Sequence, residues 1–373
     1  MQQLKALQRP FARRWSPPRC AAVNGGSMRS LSDTVRRLSR RRFATEVPGS
    51  APSPLRPLER FGSNPGELRG WCYVPPGVIS SPALVVVLHG CTQTATIYDT
   101  CSGWSRLADD YGFALLFPEQ VRSNNSNLCF NWFNPADVRR DSGEVLSIRQ
   151  MVEHMIERCD VDRSRIFITG LSAGGAMANA MLAAYPDVFS AGAILAGLPY
   201  GSASTIPEAF DRMRGHGLPN TEALQAELRG ASDHHGPWPR ISVWHGTGDD
   251  TVVPANAIAI IEQWRGVHGI GPQPASTKRR GSRTLQVWKD SSGRGVIELN
   301  TFSGMDHGAP LDTTTGYGRS GAFFLDVGVS STVESARAWG LRKAMLSSRP
   351  RDGIEVAVEN ALRWTGLIPR PRS

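Results

Sequence analysis

The sequence predicts an α/β fold: a doubly wound, mostly parallel sheet with helices on both faces. Three observations carry the prediction. Short aliphatic runs without polar alternation recur along the chain, helical stretches separate them, and one run passes through a Gly-rich junction straight into a helix of small residues. The first run, residues 83–88 (Ala-Leu-Val-Val-Val-Leu), is continuous and rich in β-branched residues, as expected of a strand buried on both faces. Residues 113–117, 165–169, 193–195 and 241–244 read the same way, and 148–159, 176–185 and 255–267 read as helices. Late in the chain, 285–288 and 296–302 flank a turn at 290–293 and read as a hairpin. The stretch 203–239 is helical, polar and punctuated by Pro and Gly, so it is expected to form an insertion over the sheet edge.

The chain has 373 residues, 40% of them hydrophobic and 20% charged, which supplies enough apolar side chain for a sizeable core and excludes disorder throughout. The 83–88 run is the longest purely aliphatic one, far short of the roughly 18–20 residues of a membrane span. The net charge of +9 resembles a nucleic-acid signal until it is located. Eleven of the 42 Lys/Arg but only two of the 33 Asp/Glu fall in residues 1–50, so 31 of each sign remain for the rest. The folded body is therefore neutral, and no nucleic-acid partner is expected of it.

Residues 1–54 read as a basic, solvated arm. They lack the apolar stretch of about 7–15 residues that a secretory signal needs. The Arg40-Arg41-Arg42 cluster resembles a twin-arginine signal, but no apolar segment follows it. Leu31, Val35 and Leu38 are spaced for a short amphipathic helix. Residues 55–345 are expected to form one catalytic domain, and 346–373 a tail with a short helix at 354–362. The cysteines (Cys20, Cys72, Cys91, Cys101, Cys129, Cys159) show no CxxC spacing and no histidine at metal-finger distance, so no metal site is expected.

The chemistry centres on Gly170-Leu171-Ser172-Ala173-Gly174. A G-x-S-x-G string is weak by itself. Between a buried strand and a helix it describes a nucleophile elbow, a tight turn that lifts a serine hydroxyl above the sheet. The glycines fit because a Cβ would clash in so sharp a turn. Serine at its free pKa is a poor nucleophile and needs a base oriented by an acid. On such a sheet the order along the chain is Ser, acid, His. His268 and His307 lie late enough; His307 is preferred because it follows the last strand, in a loop able to swing over Ser172. Asp249 and Asp250 compete as the acid at the end of the 241–244 strand, where open α/β sheets build their sites, and Asp306 adjoins His307 too closely to face its ring. His89-Gly90-Cys91 ends the first long strand, where a backbone N–H of Cys91 is placed to pair with that of Ala173 as an oxyanion hole.

Taken together the residues resemble the poly(3-hydroxybutyrate) depolymerase-type esterases of the α/β-hydrolase fold, relatives of feruloyl and acetylxylan esterases. The motifs that carry the resemblance are Asn64-Pro65-Gly66, Leu88-His89-Gly90-Cys91-Thr92-Gln93, Cys129-Phe130-Asn131-Trp132-Phe133, the Ser172 elbow through Met177, Ala196-Gly197-Leu198-Pro199-Tyr200 and Trp244-His245-Gly246-Thr247. The family's HGTxD pattern puts the acid on Asp249, and its GxGHG pattern puts the base on His307, with Asp306 where the family has glycine. The resemblance implies an ester hydrolase acting on poly(3-hydroxyalkanoate) or 3-hydroxybutyrate esters without metal or organic cofactor. Phe130, Trp132 and Phe133 are then placed to line an apolar groove. Cys91 and Cys129, both in loops on the catalytic side, are expected to be bonded. Family members that attack extracellular polymer usually carry a secretion signal, a linker and a binding domain. None is recognisable here, so oligomers, amorphous polymer or smaller esters are the expected substrates, and extracellular and cytoplasmic locations both stay open. A feruloyl or acetylxylan esterase is the alternative within the enzyme class, and a non-catalytic binder of polyester or polysaccharide is the alternative outside it.

Overall fold

The computed structural model describes residues 53–342 apart from Ile79. The basic arm to residue 52, with the stretch around Leu31, Val35 and Leu38, and the tail with its expected helix at 354–362 lie outside the described residues.

The elements in chain order are β1 (Arg56–Leu58), β2 (Arg69–Tyr73), β3 (Leu84–Leu88), α1 (Ala95–Ser102), α2 (Trp104–Tyr111), β4 (Ala114–Glu119), α3 (Pro135–Val138), α4 (Gly143–Cys159), β5 (Ile166–Leu171), α5 (Ala173–Ala184), β6 (Ala191–Leu195), α6 (Ile206–Met213), α7 (Thr221–Gly230), β7 (Arg240–Gly246), α8 (Ala255–His268), β8 (Ser276–Arg280), β9 (Arg283–Lys289), β10 (Gly295–Phe302), β11 (Ala309–Leu311), β12 (Phe324–Asp326) and α9 (Ser331–Ala338). Ten strands form one sheet in the order β1-β2-β4-β3-β5-β6-β7-β10-β9-β8. The centre, from β4 to β10, is parallel, and antiparallel pairs close both ends.

The unbroken apolar runs are explained by what covers them. On β3, Leu84, Val86 and Leu88 enter one core while Val85 and Val87 enter the other, the period of two that a strand imposes. On β5, Ile166 and Ile168 face the first core and Phe167 the second. Helices α4, α5 and α8 supply the first core, through side chains such as Met151, Met181 and Trp264. Helices α1, α2 and α9 supply the second, where the rings of Phe167, Trp339 and Trp104 stack in succession with centroids 5.0 and 5.9 Å apart.

The insertion at 203–239 sits differently from expectation. Strands β6 and β7 that flank it are neighbours in the middle of the sheet, so the excursion crosses the carboxyl end of the sheet rather than its edge. Ala209 and Met213 of α6 pack in one cluster with Ala173 and Ala176, the first turn of α5. Among the described residues no helix is long and apolar enough to cross a membrane.

Candidate active site

Four loops leave the carboxyl ends of β3, β5, β7 and β10 and converge, the place where open parallel sheets bind ligands. The elbow between β5 and α5 holds Ser172 at φ 58° and ψ −120°, a conformation that costs an L-residue about 1–3 kcal/mol. Its amide donates to Leu195 O at 2.8 Å, and the Ala176 amide donates back to Ser172 O at 2.9 Å, so strand and helix together impose the turn. A Cβ on Gly170 would stand 2.2 Å from Gly174 O, and one on Gly174 would stand 2.4 Å from His89 O. Glycine is required at Gly170 because the elbow folds back onto its own backbone, and at Gly174 because the elbow touches the β3 loop backbone to backbone.

Beyond β7, the turn 246–249 is zipped to the loop after β10. Thr247 N donates to Phe302 O, Gly248 N to Met305 O, and Gly304 N to Thr247 Oγ1. The zipping sets Asp249 and His307 face to face. His307 Nδ1 lies 2.7 Å from Asp249 Oδ2, and His307 Nε2 lies 3.0 Å from Ser172 Oγ. The other carboxylate oxygen, Asp249 Oδ1, accepts the amides of Thr251 at 3.0 Å and Val252 at 2.9 Å. Burial pushes the Asp249 carboxyl up, but the facing His307, its hydrogen bond, His245 and the Val252 amide outweigh burial and hold it below the usual carboxylate range. An ionised carboxylate only accepts, so the His307 proton sits on Nδ1 and the Nε2 lone pair faces the serine.

The competing candidates fall elsewhere. Asp250 is exposed. His268 donates from Nε2 to Pro239 O, and burial draws its pKa down to about 4. The Asp306 carboxylate accepts its neighbour's backbone amide, His307 N, at 2.8 Å. That bond is a physical reason for aspartate where the family pattern has glycine: Asp306 braces the backbone that carries the His307 ring.

In the loop after β3, Gly90 N is taken by Gln93 Oε1 and Thr92 N by Asn127 O. Among the described residues the Cys91 amide between them donates to no protein acceptor, and Ala173, first residue of α5, carries one of the N–H groups that every helix start leaves open. His89 pins the loop, with Nδ1 donating to Gly90 O at 2.8 Å and Nε2 accepting from Gln120 N at 3.1 Å. Burial holds that imidazole below its ordinary pKa, hence neutral.

Cys91 is bonded to Cys129 across 38 residues. The link joins the β3 loop to the segment bearing the aromatic residues. A closure of that length constrains the unfolded chain by about 2–4 kcal/mol, so Cys129→Ala is expected to lose that much stability in denaturant unfolding. An unfolding midpoint equal to that of the unaltered protein would remove the link from the fold's support.

Trp132 is buried in the cluster with Ala173, Leu198, Ala209 and Val252, and Phe133 packs edge-on against it at 5.8 Å. Phe130 does not line a groove. It is fully buried in the sheet core, tilted against His89 at 4.9 Å, because its side chain turns into the first core where Trp132 and Phe133 join the cluster around Ala173.

Two supports have roles that their local sequence does not disclose. Glu144, buried in the first turn of α4, accepts from Gln120 Nε2 (2.6 Å), Asn131 Nδ2 (2.8 Å) and Asn131 N (2.9 Å), fixing the 129–133 segment. Burial, and then the charge of Asp137, push its carboxyl up to about 8 against those three donors. His245, wholly buried at the end of β7, faces Asp249. An acid opening a helix was the only signal for Glu144, and His245 reads in sequence as the end of a strand.

The family model described as Esterase PHB depolymerase matches residues 69–287, more than half of the chain. The match ends ahead of His307, so that residue's place rests on the geometry above. Poly(3-hydroxyalkanoate) depolymerase C of Paucimonas lemoignei is 43% identical over 300 residues, covering 79% of this chain and 72% of that protein. Acetylxylan esterase of Coprinopsis cinerea is 32% identical, covering 73% and 72%, and feruloyl esterase B of Talaromyces funiculosus is 32% identical, covering 70% and 74%. Among solved structures, the acetyl xylan esterase from Aspergillus awamori superposes with a TM-score of 0.67 at 25% identity, covering 77% of this chain and 99% of that one. The chain thus belongs to the PHB depolymerase esterase family and is a serine esterase on the α/β-hydrolase fold.

Proposed function

We propose that the chain hydrolyses poly(3-hydroxyalkanoate) or 3-hydroxybutyrate esters, with Ser172 as nucleophile, His307 as general base and Asp249 as the acid that orients it. The observation that carries the reading is the unbroken line from Ser172 Oγ through the His307 ring to Asp249 Oδ2. Ser172 Oγ attacks the ester carbonyl as its proton passes to His307 Nε2. The Cys91 and Ala173 amides hold the oxyanion, each worth about 3–4 kcal/mol in the transition state. His307 then protonates the departing alcohol, and water, activated by the same nitrogen, releases the acid from the acyl-enzyme. The 43% identical depolymerase supports the polyester substrate.

Clearing of amorphous poly(3-hydroxybutyrate) granules, read as loss of turbidity, tests the substrate. Clearing that vanishes in Ser172→Ala is the expected result. The second reading, a feruloyl or acetylxylan esterase, is supported by the two relatives at 32% identity and by the acetyl xylan esterase fold. Enzyme that cleaves a p-nitrophenyl ester and acetylated or feruloylated xylan but leaves granules turbid would replace the first reading with the second.

A further inference from the structure

We infer that His245 is a positioning residue for the triad acid: one buried N–H, bonded to Val252 O and lying 3.4 Å from Asp249 Oδ2, holds the turn that carries the carboxylate and moderates its pull on His307. The inference rests on the triad reading above and adds a fourth residue to it.

His245 Nε2 stands 2.8 Å from the Val252 carbonyl and 3.4 Å from Asp249 Oδ2, the oxygen that also receives His307 Nδ1 at 2.7 Å. A carbonyl only accepts, so Nε2 carries the proton and Nδ1 does not. Nδ1 is buried and has no hydrogen-bond partner among the described residues, so the ring has no second anchor. The titratable groups facing it are Asp249 and His307, and burial keeps the imidazole neutral despite the carboxylate. The Nε2–H has two consequences. Holding Val252 O closes the turn whose Thr251 and Val252 amides grip Oδ1. Lying against Oδ2, it draws off part of the negative charge that would otherwise favour a protonated His307. Removing that N–H is expected to strengthen the pull of the carboxylate on His307.

The test compares three variants in the whole chain on a soluble p-nitrophenyl ester across pH. Gln at 245 offers an amide N–H near the position of Nε2, Asn offers one near Nδ1, and Phe fills the space with no donor. His245→Phe and His245→Asn are expected to lose about tenfold in kcat with KM little changed, and to move the acid limb of kcat/KM upward by about half a pH unit or more. His245→Gln is expected to recover most of kcat and the original limb. Should the Phe variant fail to fold, the Gln and Asn pair carries the same comparison. An acid limb that stays put in every folded variant, or Gln and Asn behaving alike, overturns the inference. The triad reading stands or falls separately, on the loss of turnover in Ser172→Ala.

Discussion

Ser172→Ala is expected to lower kcat by about 10⁶-fold, with the fold intact and labelling by a fluorophosphonate probe abolished. The size follows from what a single oxygen does here. Ser172 Oγ is the atom that meets the His307 lone pair, at 3.0 Å. Without it, base and acid have no proton to move, and they fail together rather than by increments. What survives is the oxyanion hole and substrate binding, about 10³–10⁴ over water. Stability should not fall, because the φ of 58° is imposed by Leu195 O, Gly170 and Gly174 rather than by the hydroxyl. A thermal melt matching the unaltered protein, beside silent kinetics, is the combined result expected. Turnover above about one-thousandth of the original would refute Ser172 as the nucleophile.

The same contrast between imposed backbone and working side chain governs what the sequence discloses. Strands β3 and β5 are legible because both faces of each are covered, so their runs are apolar apart from Thr169 and Gly170 late in β5. Strand β8, Ser276–Arg280, is illegible because it is an edge strand with exposed Lys278, Arg279 and Arg280, held only by its ladder to β9. Helix α1 is missed for another reason. Its Ala-Thr-Ile-Tyr-Asp-Thr start has weak propensity, and tertiary contacts sustain it: Ala95 N on Glu119 Oε2 at 2.7 Å and the buried Tyr98 ring. In the site, Ser172, Asp249 and His307 sit in strings whose glycines are demanded by close backbone approach, so chemistry and punctuation coincide. Glu144 acts through partners remote in sequence and leaves no local pattern, whereas His245 lies inside the Trp244-His245-Gly246-Thr247 string but its role depends on ring orientation, which the string does not disclose. The 203–239 insertion was misplaced because composition reveals an excursion but not where its flanking strands lie in the sheet order.

Asp249→Asn is expected to cost about 10⁴-fold in kcat at neutral pH while leaving volume and fold unchanged. Two backbone amides, Thr251 N and Val252 N, point at the position of Oδ1, so the asparagine oxygen must take that side. Its NH₂ then occupies the position of Oδ2, 2.7 Å from His307 Nδ1 and 3.4 Å from the protonated Nε2 of His245. A donor there cannot accept the Nδ1 proton. His307 is forced to carry its proton on Nε2, where the ring donates to Ser172 Oγ instead of receiving from it, and the base is lost without any atom of it moving. The new NH₂ also lies against the His245 N–H, itself already bonded to Val252 O, so the variant should lose some stability, by about 1–3 kcal/mol for a buried amide N–H left unpaired. Steady-state kinetics on a p-nitrophenyl ester, together with a thermal melt, read both effects. A loss of less than about tenfold would mean that the acid is not Asp249. The tautomer argument would then fail with it, since the exposed Asp250 is not gripped by these two amides.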